Sequence, residues 1–191
     1  MSNFCNSLQH QPIQGEDRVG LQGSSRHLVV TGARSVLQHQ TKEVPMQLLY
    51  EYSSALSLLS VSIHGSVSDD ALSAIHLQTR VITSQLQVDC GIFDLSGADL
   101  SAIASETIRA FASFPPMLPV SARRIVVAPP AYQYGMVRMY EMAASRTIEI
   151  CRSIQEAYAV LGIHVSPSFQ TVTLDAEGRV VLGSRPERKA G

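Results

Sequence analysis

Residues 123–144 read RRIVVAPPAYQYGMVRMYEMAA, and this stretch decides the fold class. Ile125, Val126, Val127 and Ala128 form a short, continuous apolar run, as expected of a strand buried on both faces. Pro129 and Pro130 end the run, and a helix is expected over 130–145. A proline in the first turn of a helix gives up an amide hydrogen that has no partner there. The pair therefore marks a strand-to-helix corner, not a phosphate loop. A buried strand running straight into a helix is the repeating half of a parallel α/β sheet.

Within that helix Tyr132, Met136, Met139, Tyr140 and Ala143 recur at helical spacing and are expected to pack on the sheet. Tyr134, Arg138 and Glu141 form a second row beside them, with Arg138 and Glu141 placed to pair. Gly135 lies inside the helix, where glycine costs about 1 kcal/mol against alanine. Two compensations fit: close approach of another backbone, or a ligand or partner helix lying over Gly135 and flanked by Tyr134 and Arg138.

Working outward, QLLYEY (47–52) and LSLLSVSIHG (56–65) read as two strands around a short turn. In the second, Leu59, Val61 and Ile63 alternate with Ser60, Ser62 and His64, the period of a half-buried strand. A helix over 68–82 has Ser68 as its N-cap, Asp69 and Asp70 in its first turn, and Leu72, Ile75, Thr79 and Ile82 on one face. CGIFDLSG (90–97) is a central strand ending in a polar corner. SETIRAFASF (105–114) is a helix with Ser105 as candidate N-cap and Ile108, Phe111 and Ala112 facing inward, stopped by Pro115 and Pro116. After the 123–128 strand and its helix come a short strand, TIEIC (147–151), and a last helix, SIQEAYAVLG (153–162). Ser153 and Glu156 give that helix a capping box, and Gly162 stops it.

This order predicts an α/β domain over residues 46–163. Its mixed sheet has about five strands, a starting hairpin followed by parallel βα units, with about four helices. Residues 1–45 are rich in Gln, Ser, Gly and His and keep no period, so they read as a mobile tail; alternatively Met46 is the true start. In the extension 164–191, FQTVTL and RVVL flank DAEG as a hairpin. The hairpin is either an appendage or the lead-in to the basic end SRPERKAG. Ligands in such sheets favour the carboxyl ends of the parallel strands, here 94–101 and 128–135.

The chain of 191 residues has a formal charge of −1 and 45% hydrophobic content, and Lys42 and Lys189 are its only lysines. Such a balance carries no global attraction to nucleic acid or anionic membranes. No run reaches the ~20 apolar residues of a membrane span. The N-terminus lacks the plan of a signal peptide, so a cytoplasmic location is the default expectation. Cys5, Cys90 and Cys151 are too scattered for a disulfide framework or a zinc site. GxSxG, Walker, GxGxxG, HxH and HExxH patterns are all absent, and Ser96, His164 and Asp94 share no triad spacing. No catalytic residue, metal or cofactor is expected.

Three stretches in series, GIFDLSGADLSAIASETIRAF, ARRIVVAPPAYQYGMVRMYEMAA and IEICRSIQEAYAVLGI, resemble the bacterial SpoIIAA-like (STAS/SEC14-type) small domains over about residues 46–163. The resemblance implies a helix-covered sheet. In the anti-sigma-factor-antagonist branch it also implies a phosphoacceptor serine after the Asp-Leu-Ser strand. Ser105 is the nearest counterpart, and is the phosphorylation candidate. The family's acidic residue before that serine is absent here, with Ile103 and Ala104 in place, and Glu106 stands where a small residue follows. Cys151 and Val160 replace aromatic residues of the closing motif.

These readings lead to a non-catalytic binding or regulatory module. Its partner is a protein, a second copy of the chain included, or a small apolar ligand. The candidate binding residues are Asp94, Ser96, Ser105, Tyr132, Tyr134, Gly135 and Arg138. Asp94 also reads simply as an Asx turn and Ser105 simply as a cap. The SEC14 side of the resemblance implies an alternative, a small-molecule or lipid carrier with an apolar cavity beside Met136 and Tyr140. An enzyme with an unrecognised site is the minor third reading.

Overall fold

A computed structural model describes residues 45–184. The readings of residues 1–44 and of the basic end 185–191 lie outside the described residues. The chain opens with β1 (Gln47–Ser53) and β2 (Leu58–Ser66), then α1 (Asp69–Gln85), β3 (Cys90–Asp99) and α2 (Ser105–Ala112). It continues through β4 (Arg123–Val127), α3 (Ala131–Ala144), β5 (Glu149–Cys151) and α4 (Ile154–Val160), and ends in the pair β6 (Gln170–Leu174) and β7 (Val180–Ser184).

The described strands form one seven-stranded mixed sheet in the order β5-β4-β3-β2-β1-β6-β7. β2 to β5 run parallel, each joined to the next by a helix, as the alternation of apolar strands and amphipathic helices requires. β1 pairs antiparallel with β2 through a tight turn in which Ser57 takes a left-handed conformation. The strand count exceeds the expected five because the C-terminal hairpin is no appendage. β6 pairs antiparallel with β1, Tyr50 opposite Val172, and β7 extends the edge.

Strand alternation divides the core in two. Leu59, Val61, Ile63, Phe93 and Val126 point to one face, which α1, α2 and α3 cover. Leu58, Ile92, Ile125 and Val127 point to the other, against α4 and Phe169. Tyr50 crosses the first layer to α1, where its hydroxyl lies 3.0 Å from Thr79 Oγ1, itself donating to the Ile75 carbonyl.

The capping signals hold where a side chain reaches an open amide. Ser68 Oγ accepts from Ala71 N, and Ser153 Oγ accepts from Glu156 N. Gly162 takes φ +71° at the end of α4, and the Ile163 amide closes the turn onto Tyr158 O. Ser105 is a correction: it is the first helical residue of α2, and the N-cap is Ala104, which offers no side-chain acceptor.

α3 is also rotated from its expected setting. Its fully buried residues are Gln133 and Val137, while Met136, Met139 and Tyr140 are half-buried and Tyr132 and Ala143 are exposed. The cause is a polar residue at a core position. Gln133 Nε2 donates to Leu95 O at 2.9 Å and to Ala98 O at 2.8 Å, tying the helix start to the irregular end of β3. Those two bonds offset the burial of the amide nitrogen of a residue that periodicity would place outside, while Gln133 Oε1 is buried without a hydrogen-bond partner among the described residues.

Candidate functional site

The residues singled out in the sequence occupy separate places. Asp94 closes an Asx turn, its Oδ1 accepting from Ser96 N at 2.9 Å, and Ser96 itself is exposed. Ser105 is exposed at the head of α2 beside Glu106. On α3 Arg138 Nε donates to the Tyr134 hydroxyl, its guanidinium stacks on the Tyr134 ring at 5.3 Å, and it pairs with Glu141. Glu141 also accepts from the Ile148 amide, and that bond, then Arg138, holds its carboxyl below the usual glutamate range. The second row on α3 therefore closes on itself and on β5's approach. Gly135 faces open space, since a Cβ built there would meet nothing within 4 Å. No other backbone approaches it, so the first of the two expected compensations is absent among the described residues.

Two concavities stand out among the described residues. One is a mixed polar and apolar crevice of about 450 Å³ at the carboxyl ends of β4 and β5, where Tyr134, Cys151, Arg152 and Glu156 meet. Its Glu156 carboxylate is engaged in capping, accepting from Arg152 N. The other is an apolar cavity of about 130 Å³ between the sheet and its three-helix layer. Ile63, Phe93 and Val126 form its floor, while Ile75, Ile108, Phe111 and Val137 close it from the helices. Met136 and Tyr140 of α3 line it as well, at the place the carrier reading requires.

Only two of the lining side chains carry an oxygen or a nitrogen, Arg124 and Tyr140, and both are half-buried. Every wall atom open to the cavity is apolar, so these residues turn their carbon stem and ring inward and their polar ends away. Arg124 Nη1 donates to Ala122 O at 3.0 Å and Nη2 to Pro119 O at 2.6 Å, with longer contacts to Leu118 and Val120 carbonyls. Arg146 donates to the Tyr140 hydroxyl at 2.9 Å and to Phe114 O at 2.8 Å. Periodicity held one signal for this: Arg124 is two residues before Val126 and so shares its inward face. The rest of the wall comes from too many elements for any local pattern to reveal.

Burial pushes both described cysteine thiols, Cys90 and Cys151, upward and away from the reactive thiolate range. Among the described residues no three His, Cys, Asp or Glu side chains are grouped as a metal would need, and no helix is long and apolar enough to cross a membrane. Neither protein-family models nor curated proteins give a match to this sequence.

Proposed function

We propose that the chain is a non-catalytic binding module of the SpoIIAA-like, STAS type whose ligand is a small apolar molecule held between the sheet and α1, α2 and α3. The observation that carries the reading is the cavity of about 130 Å³ with its apolar wall. An engineered apolar cavity of about 150 Å³ in another protein stays dry when empty and binds benzene. Drug-sized and lipid-like ligands occupy pockets of about 300–1,000 Å³, so the volume here suits a body of benzene size and not a whole lipid.

The test is a thermal melt of the full chain with benzene. At tenfold above its Kd, linkage gives about 1.4 kcal/mol of stabilisation and a rise of about 3–6 °C in Tm. Met136→Trp, which places an indole in the cavity, should remove the rise. No benzene-dependent shift up to its solubility limit refutes the reading.

Exposure of Tyr132, Tyr134 and Met142 on the outer face of α3 supports a second reading, a protein partner there. In that case Arg138→Ala weakens association and leaves Tm unchanged; loss of stability with association intact makes Arg138 structural.

A further inference from the structure

The two edges of the sheet are finished differently. At one edge β5 is only three residues long, pairs its Glu149 with Arg123 and runs into Arg152. Shortness and charge are common guards against pairing with another chain. At the other edge β7 runs for five residues, VVLGS, with no charge and no proline. Val181 and Leu182 are exposed on it. The backbone groups open to that edge can be named, because alternate residues of an antiparallel strand turn their N–H and C=O to the same side. The Val180 amide points away from β6, bonding to Gln85 Oε1 at 2.9 Å, and Gln85 Nε2 donates to Gly178 O. α1 thus caps the turn end of the edge. Leu182 and Ser184 are in step with Val180, so their amides and the carbonyls of Val180 and Leu182 face outward, with no partner among the described residues. Gly183 adds a second sign. Its φ is not positive, and a Cβ there would touch only Thr171 O at an ordinary 4.0 Å. No described contact requires glycine there, and glycine in a strand often marks the close approach of another backbone.

We propose that β7 is an interface between two copies of this chain, which pair antiparallel about a two-fold axis at Leu182 and continue the sheet from one copy into the other. An antiparallel edge is its own complement under such an axis. The Leu182 amide of each copy meets the Leu182 carbonyl of the other, and the Ser184 amide meets the Val180 carbonyl. The Val180 amide keeps its bond to Gln85. In this register Val181 lies opposite Gly183 and covers the backbone that the glycine leaves bare. Charge favours a second copy over an unrelated partner. The axis sets residues opposite themselves or their near neighbours, so a charge close to it would face its own copy and repel it. β7 carries none, whereas β5 holds Glu149. A five-residue pairing is small beside the ~800 Å² per partner of a standard interface, so the association is weak and depends on concentration. It does not draw on the cavity, and either reading can fail without the other.

The experiment is sedimentation equilibrium of the full chain over a range of concentrations, with amide exchange followed by NMR on the same samples. The mass should rise with concentration from one chain toward two, and the Leu182 and Ser184 amides should exchange more slowly as it does. Leu182→Lys sets two like charges opposite each other at the axis and removes an apolar pair, so it should weaken association about tenfold or more. Should that variant fail to fold, the mass and the exchange of the unaltered chain decide alone. A single-chain mass at every concentration up to the solubility limit overturns the proposal, as does a folded Leu182→Lys variant that associates unchanged. A dimer whose Leu182 and Ser184 amides exchange at one rate throughout has its interface elsewhere, and also overturns it. Protection of those amides in the monomer, independent of concentration, assigns the edge to another segment of the same chain and rules out the second copy.

Discussion

Adding one methylene to the space beneath the helices should stabilise the protein. A residual cavity of about 130 Å³ carries a penalty of ~3 kcal/mol at ~24 cal/mol per Å³, a large share of a typical net stability of about 5–15 kcal/mol. Val126 lies on the cavity floor in β4 and is 9% exposed. Val126→Ile keeps the β-branched shape that a strand favours and adds one buried methylene, giving ~0.8 kcal/mol by transfer with a further fraction from the volume removed. The expected gain is ~1 kcal/mol. The next residue provides the control. Val127 is 1% exposed, points to the opposite face and packs with the α4 cluster, away from the cavity. Val127→Ile has no void to enter, so overpacking should cost about 1–3 kcal/mol.

Urea unfolding followed by circular dichroism distinguishes the two, provided the m-value is unchanged. The midpoint should rise by about 0.5 M for Val126→Ile, taking m at about 2 kcal/mol/M, and fall for Val127→Ile. Benzene should protect Val126→Ile less than the unaltered chain, because methyl and ligand compete for the same volume. If both variants lose stability equally, the two faces of β4 are equally packed and the reasoning from the cavity fails.

Gly135→Ala should stabilise by about 0.5–1 kcal/mol, since the new methyl meets open space and alanine restricts the unfolded chain; a loss in a chemical melt would reveal a contact over that residue. Tyr50 gives the pH dependence. Burial pushes its phenol up to about 12 in the folded chain against 10.0 for the free group, so the folded state holds the proton over a range in which the unfolded state releases it. Its contribution is therefore complete below pH 10 and lost as pH rises from about 10 to 12, a decline of ~2–3 kcal/mol. Tyr50→Phe should remove that segment of the stability-against-pH curve, and an unchanged alkaline slope would exclude Tyr50 as its source.

The elements were legible because each carries its own period. Leu59, Val61 and Ile63 repeat by two, and α1 and α4 bring caps that act within four residues. What stayed hidden depends on partners distant in sequence. Gln133 looks like a surface residue until Leu95 O and Ala98 O are brought to it across 38 and 35 positions, and that one exchange rotates the reading of α3. The hairpin was visible as a hairpin, but its place in the sheet is set by the free edge of β1, which no local pattern records. Of the candidate site, Met136 and Tyr140 line the cavity that the carrier alternative requires, Asp94 makes the Asx turn, and Gly135 stands open.

The segment between α2 and β4 is held by side chains from outside it. It contains Pro115, Pro116 and Pro119, which have no amide hydrogen to give. Its carbonyls are left to accept, and four side chains from α1, β4 and the α3–β5 link supply the donors. His76 reaches Pro115 O at 2.7 Å, Thr83 reaches Met117 O at 2.8 Å, Arg146 reaches Phe114 O, and Arg124 reaches the carbonyls from Leu118 to Ala122. Leu118 beds against Gly91, where a Cβ would fall 2.3 Å from its Cδ1. Carboxylates in the same positions would have fixed the arginines equally well and cancelled their charge. Carbonyls fix the geometry and leave the charge. The proline-rich segment thus closes the cavity at Met117 while its carbonyls hold the guanidinium groups of Arg124 and Arg146 outside the apolar wall.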